Sequence, residues 1–101
     1  MHMVSFRWKD EVTDEQVTEL TAALTAMAAG VPEVRSYRCG ANLRVRPSTA
    51  DFGVAVLVDD ETGLVAYLDS AAHVDVFTRL LQPMFQERSA VQLQVGENAT
   101  L

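Results

Sequence analysis

Apolar and polar positions alternate from the second residue. His2, Val4, Phe6 and Trp8 fall on one side of an extended segment and Met3, Ser5 and Arg7 on the other. Period two with aromatic and β-branched content predicts a strand over residues 2–8. Lys9-Asp10-Glu11 breaks it. Thr13-Asp14-Glu15-Gln16 has the form of a capping box, a hydroxyl at the cap and a Gln three residues on, with acids suited to a helix N-terminus. Val17, Leu20, Leu24, Met27 and Ala28 then recur at spacings of three and four, one stripe of an amphipathic helix. Gly30 ends that helix and Pro32 prevents its resumption.

Residues 35–43 read as a second strand, weakened by Gly40 and Asn42, and residues 44–50, with Pro47 and Ser48, as a loop. Phe52-Gly-Val-Ala-Val-Leu-Val58 is nearly all apolar and predicts a central strand. Asp59-Asp60-Glu61-Thr62 caps a short helix through Leu64, Val65 and Leu68. A further helical stretch, residues 74–81, is limited by Pro83. Val91, Leu93 and Val95 alternate with Gln92 and Gln94, which predicts a last strand over residues 89–95. The expected domain spans residues 1–96, with 97–101 as a tail.

The order β-α-β-β-α-β implies the split β-α-β, ferredoxin-like arrangement of the α+β class, a four-stranded antiparallel sheet with helices on one face. Its other face then needs cover, because Met3/Ser5/Arg7 and Gly53/Ala55/Leu57 cannot reach the same helices as their neighbours. A homodimer joined sheet face to sheet face is the economical solution.

Composition narrows the function. With 101 residues, 49% apolar and 22% charged, the chain has the makeup of one globular domain. A formal charge of −6 is repelled by phosphate backbones, so neither nucleic acid nor an anionic membrane is an expected partner. There is no run of about 18 apolar residues to cross a bilayer and no basic-then-apolar start, so a soluble, cytoplasmic protein is expected. The single cysteine, Cys39, cannot form an intramolecular disulfide and has no Cys-x-x-Cys partner; a structural thiol is expected.

Two histidines exist, His2 and His73, in no metal-binding spacing, and no nucleotide fingerprint, nucleophile elbow or paired-carboxylate motif is present; no metal or cofactor is expected. His73 stands where the two helical pieces meet, six residues after Tyr67. It would serve there as a backbone cap or as a general acid or base, because imidazole titrates near neutral pH. The Tyr67 phenol would either support such chemistry as a proton donor or simply pack. Arg35, Arg38, Arg44 and Arg46 lie in an acid-free stretch that would attract an anion or serve as solvated edge charge.

His2-Met-Val-Ser-Phe-Arg-Trp-Lys-Asp-Glu-Val-Thr-Asp-Glu-Gln16, Val31-Pro-Glu-Val34, Gly40 and Tyr67-Leu-Asp-Ser-Ala-Ala-His-Val74 together resemble the stress-responsive A/B barrel (Dabb) family, from about residue 2 to residue 95. The resemblance implies a ferredoxin-like unit that pairs into a dimeric α+β barrel. The family includes a plant polyketide cyclase that works by intramolecular aldol condensation without a cofactor. Its catalytic histidine corresponds to His73, its supporting tyrosine to Tyr67, and the histidine opening its first strand to His2. Two positions depart from it: Phe52 replaces a histidine at the start of the third strand, and Leu24 a tyrosine on the first helix. A pocket between sheet and helices would be lined by Val4, Phe6, Leu20, Leu24, Val54, Leu68, Phe77 and Met84, which are equally the residues of a filled core. The functions implied are a cyclase-type acid–base catalyst on a small hydrophobic or aromatic ligand, a non-catalytic binding or structural module, or a cofactor-free monooxygenase.

Overall fold

The computed structural model describes residues 1–94, so the expected strand end at Val95 and the tail at 97–101 lie outside the described residues. Its elements are β1 (His2–Trp8), α1 (Asp14–Ala29), β2 (Val34–Ala41), β3 (Phe52–Val58), α2 (Glu61–Asp69), α3 (Ala71–Val76), which runs on into a π-helical turn at Phe77–Leu81, and β4 (Phe85–Gln92). The sheet order is β2-β3-β1-β4 with every neighbouring pair antiparallel, the ferredoxin-like arrangement expected from the element order. Among the described residues no helix is long and apolar enough to cross a membrane.

The capping box forms as its spacing requires. Thr13 Oγ1 accepts from the Gln16 amide at 3.2 Å, and Gln16 Oε1 accepts from the Thr13 amide at 2.8 Å. Of the expected helix stripe, Leu20, Leu24, Met27 and Ala28 are buried, while Val17 is half-buried at its edge. Leu20, Leu24 and Met27 form one core with Phe6 of β1, Phe52, Val54, Val56 and Val58 of β3, Tyr67, Val76, Leu81 and Met84, and Val17 packs against it. Each such aliphatic or aromatic side chain, fully buried, contributes about 1.5–3 kcal/mol. Trp8 closes one end of the core against Phe52, ring centroids 5.3 Å apart.

Three elements differ in their bounds from expectation, the second strand occupying Val34–Ala41 rather than residues 35–43. The third helix begins at Ala71 because Ser70 caps it, three residues before the apolar spacing starts. The last strand occupies Phe85–Gln92, four residues earlier than residues 89–95. It is an edge strand with one half-buried and seven exposed residues, so burial imposes no alternation on it. Its place is set by polar contacts: Arg7 pairs with Glu87 at 2.8 Å, Gln86 Nε2 donates to the Trp8 carbonyl at 2.6 Å, and the Lys9 amide donates to Met84 O at 2.8 Å.

The β3 side chains divide between two faces. Phe52, Val54, Val56 and Val58 are buried under the helices, and the intervening Gly53, Ala55 and Leu57 remain half-buried on the open face. Met3, Ser5, Arg38, Gly40, Ser89 and Val91 join Gly53 and Ala55 around a shallow depression of about 550 Å³.

Candidate functional site

Strand register places the site before any side chain is considered. Tyr37 pairs with Val56, Val56 with His2, and His2 with Gln92, which makes one row across the sheet. The next helix-side row is Cys39, Val54, Val4 and Ala90, and the third is Ala41, Phe52, Phe6 and Arg88. Directly paired residues point to the same face, so β4 contributes Arg88, Ala90 and Gln92 to the helix side. The helices bridge these rows incompletely and leave a cavity of about 310 Å³. His2, Val4, Phe6, Leu24, Tyr37, Val54, Tyr67, Leu68, His73, Phe77, Leu81, Arg88, Ala90 and Gln92 line it.

The break between α2 and α3 positions the two residues with the most chemical character. Ser70 ends one helix and caps the next: its hydroxyl donates to the Tyr67 carbonyl at 2.8 Å and accepts from the His73 amide at 3.2 Å. Tyr67 and His73 therefore leave the same junction, their rings 4.7 Å apart between centroids and tilted by 58°. The π-helical turn that follows brings the Phe77 ring to 6.2 Å from His73.

Hydrogen bonds select the neutral form of each imidazole. His73 Nδ1 lies 3.0 Å from the Leu68 carbonyl, an acceptor only, so Nδ1 carries the proton and Nε2 the free lone pair. Gln92 Nε2 donates to Nδ1 of His2 at 2.9 Å, which puts the His2 proton on Nε2. One ring thus offers a base and the other a donor. Burial lowers both pKa values below the ordinary 6.5; His73, the N-terminal amine and Arg88 add to the effect on His2, while on His73 the Leu68 carbonyl opposes it and Arg88 adds to it. Both rings stay neutral at physiological pH.

Burial pushes the Tyr67 phenol up to about 12, although the Tyr37 hydroxyl beside it works the other way. Tyr37 is raised further, also chiefly by burial. Both phenols remain protonated; Tyr37 directs its proton to Tyr67, which leaves the Tyr67 hydroxyl as the one free to donate to a developing oxyanion. The half-buried Cys39 thiol is likewise raised by burial, as expected of a structural rather than a nucleophilic cysteine.

All three residues proposed from sequence for catalysis, His2, Tyr67 and His73, reach this one cavity. Of the expected lining, Val4, Phe6, Leu24, Val54, Leu68 and Phe77 are present, whereas Leu20 and Met84 are not. Leu20 and Met84 are both buried members of the core cluster, so both are filled core. Phe52, one of the two positions that depart from the resemblance, is also core, 1% exposed.

Sequence reasoning missed Tyr37, Leu81, Arg88, Ala90 and Gln92. Tyr37 and Cys39 do show period two, but Arg35, Ser36 and Arg38 obscure it. Arg88 was missed because the strand was expected to start at residue 89, and Ala90 and Gln92 because the apolar Val91 and Leu93 row, which is exposed, reads as the inward one. Two members of the acid-free arginine stretch are neutralised by carboxylates and two bond to backbone carbonyls. Arg35 pairs with Asp59 at 2.8 Å, Arg44 pairs with Asp51, and Arg38 and Arg46 donate to the carbonyls of Tyr37 and Val45. Among the described residues no group of three or more His, Cys, Asp or Glu side chains is placed to hold a metal ion.

Residues 1–95 match the family described as Stress responsive A/B Barrel Domain, Dabb. The chain belongs to the Dabb family. An uncharacterised protein of Streptomyces coelicolor is 31% identical to it over 74 residues, 71% of this Dabb chain and 76% of that protein. A crystal structure of a dimeric ferredoxin-like protein of unknown function from Thermobifida fusca superposes with a TM-score of 0.86 at 36% identity, covering 93% of this chain and 88% of that one. The hydroxynitrile lyase from Passiflora edulis shares the fold, with a TM-score of 0.83 at 14% identity over 98% of this chain and 94% of its own.

Proposed function

We propose that this Dabb protein is a homodimer that binds a small hydrophobic or aromatic ligand in each helix-side cavity and performs cofactor-free acid–base chemistry on it, of the kind that closes a linear polyketide by aldol condensation. The observation that carries this reading is the His73–Leu68 hydrogen bond, which leaves an unprotonated Nε2 beside the Tyr67 ring in a largely apolar cavity.

The steps follow from those groups. His73 Nε2 takes a proton from a carbon flanked by two carbonyls, and the electron pair moves onto a carbonyl oxygen as an enolate. Donors from Tyr67 and His2 Nε2–H stabilise that oxygen in a low-dielectric space. The enolate carbon attacks a second carbonyl of the same molecule, a C–C bond forms, and the His73 imidazolium returns its proton to the new alkoxide. A fold that also carries a hydroxynitrile lyase is compatible with chemistry at such a cavity.

The dimer is proposed from the open sheet face. Gly53, Ala55 and Leu57 are half-buried there, and Met3 and Val91, cross-strand partners, are 39% and 49% exposed. The relative from Thermobifida fusca is described as dimeric.

The test supplies a linear 3,5,7-trioxo thioester and follows cyclised, dehydrated product by mass spectrometry. The wild type is expected to exceed the uncatalysed rate, and His73→Asn to lose about 10²–10⁴-fold of that advantage. Equal rates for wild type, His73→Asn and buffer would reject the catalytic reading.

A further inference from the structure

We propose that Arg88 is an anion-recognition residue of the cavity, so that the ligand carries a carboxylate or a similarly delocalised negative group at its β4 end. This rests on reading the cavity as a ligand site and adds the charge class of the ligand.

The first support is the register. In Gln86-Glu87-Arg88-Ser89, Glu87 is opposite Arg7 and pairs with it, while Arg88 is opposite Phe6 and turns to the helix side. Its neighbours on that side, Ala90 and Gln92, also line the cavity, and all three are exposed, which makes β4 the cavity mouth.

The second is the absence of a protein counter-charge. Arg7, Arg35, Arg44 and Arg79 each meet a carboxylate, Glu87, Asp59, Asp51 and Asp75 respectively. Arg38, Arg46 and Arg88 have no carboxylate partner among the described residues, and of these three only Arg88 lines the cavity, none of whose lining residues is acidic although the chain holds 14 Asp and Glu and a formal charge of −6. The lining instead combines Arg88 with two imidazoles and two phenols. An interior poor in acids within an acidic protein selects for negative ligands and rejects cations.

The third is how the guanidinium is held. Its carbon lies 5.4 Å from the Phe77 ring centroid and 5.9 Å from that of Phe85. Stacking against aromatic faces restrains the long side chain and leaves the N–H edge available, the geometry suited to a bidentate carboxylate. A ligand gripped there by its charged end would lay its apolar body along Val4, Val54 and Leu24 toward His73. Arg88 also depresses both histidines, and a bound anion would relieve that effect.

The experiment titrates the full chain with 2-naphthoate and with its uncharged isostere 2-naphthamide, following the ring signals of His2 and His73 by NMR. Wild type is expected to prefer the carboxylate by about tenfold or more, the range of one charge-assisted hydrogen-bonded contact. Arg88→Gln should abolish the preference, Arg88→Lys should retain part of it, and 2-naphthoate should raise the pKa of His73 in wild type. If both probes shift the histidine signals but Arg88→Gln leaves their ratio unchanged, Arg88 merely covers Phe77 and Phe85: this proposal fails and the cavity reading stands. If neither probe shifts those signals, the cavity reading fails and takes this proposal with it.

Discussion

His73 Nδ1 donates to the Leu68 carbonyl at 3.0 Å, and this one contact decides which nitrogen of the ring is basic. The opposite arrangement holds at His2, whose Nδ1 accepts from Gln92. A long-range ¹H–¹⁵N correlation spectrum at pH 8 should therefore show His73 as the Nδ1–H tautomer and His2 as the Nε2–H tautomer. A proton on Nε2 of His73 would remove the lone pair that the proposed enolisation needs.

Ser70 holds His73 and Tyr67 through one hydroxyl, so its loss should affect both stability and the site. Ser70→Ala removes the cap of α3 and is expected to cost about 1 kcal/mol. For a domain of this size that corresponds to a melting temperature lower by about 4–8 °C. Ser70→Asn restores an acceptor at the cap and should recover most of the loss in a thermal melt followed by circular dichroism.

The two lowered histidine pKa values make a directional pH prediction. Above the unfolded value of about 6.5, His2 and His73 are neutral in both folded and unfolded chains and add no slope. Between 6.5 and the lower folded values, the unfolded chain binds more protons, so stability falls as pH falls. Denaturant midpoints should decline from pH 7 toward pH 5, and His2→Asn combined with His73→Asn should flatten that decline. An unchanged slope in the double variant would assign it to the carboxylates instead.

Where burial wrote the sequence, the sequence could be read. The alternation of β1, the capping box and stripe of α1 and the apolar run of β3 each follow from a face that must avoid water, and each is found where those patterns place it. The edge strand β4 has no such obligation; its position depends on the Arg7–Glu87 and Gln86–Trp8 contacts, which carry no local period. That is why Arg88 escaped notice as a cavity residue and Gln92 was read on the outward row, while His2, Tyr67 and His73, carried by a family-specific pattern, were not missed. Nor can spacing separate a filled core from a cavity wall. Leu20 and Leu24 are four residues apart on one helix face, yet only Leu24 reaches the cavity.

That difference should be measurable. Leu20 is completely buried, so Leu20→Ala leaves a closed void and is expected to cost about 2–5 kcal/mol. Leu24→Ala would merge its vacated space with the cavity already there, so water can enter and the void contribution shrinks. Urea unfolding should rank Leu20→Ala as the more damaging change, and Leu24→Ala should enlarge the range of ligands bound.

The proposed sheet-to-sheet dimer can be broken without disturbing the subunit. Gly53 lies at the centre of the open face, paired across the strands with Ser5 and Gly40. A Cβ added there would meet only the Val4 backbone oxygen, at 3.8 Å, an ordinary van der Waals separation, and Gly53 does not use a positive φ. Arginine at this position therefore fits a single subunit, its side chain directed to solvent. In a two-fold face-to-face dimer the same substitution places two like charges into a desolvated interface, an arrangement that costs several kcal/mol unless each finds a partner. Light scattering on the eluting protein should give twice the 11.1 kDa chain mass for wild type and a single chain mass for Gly53→Arg, with the circular dichroism spectrum retained. A Gly53→Arg variant that keeps the doubled mass would place the dimer contact on some other surface and leave the open face of the sheet without its proposed cover.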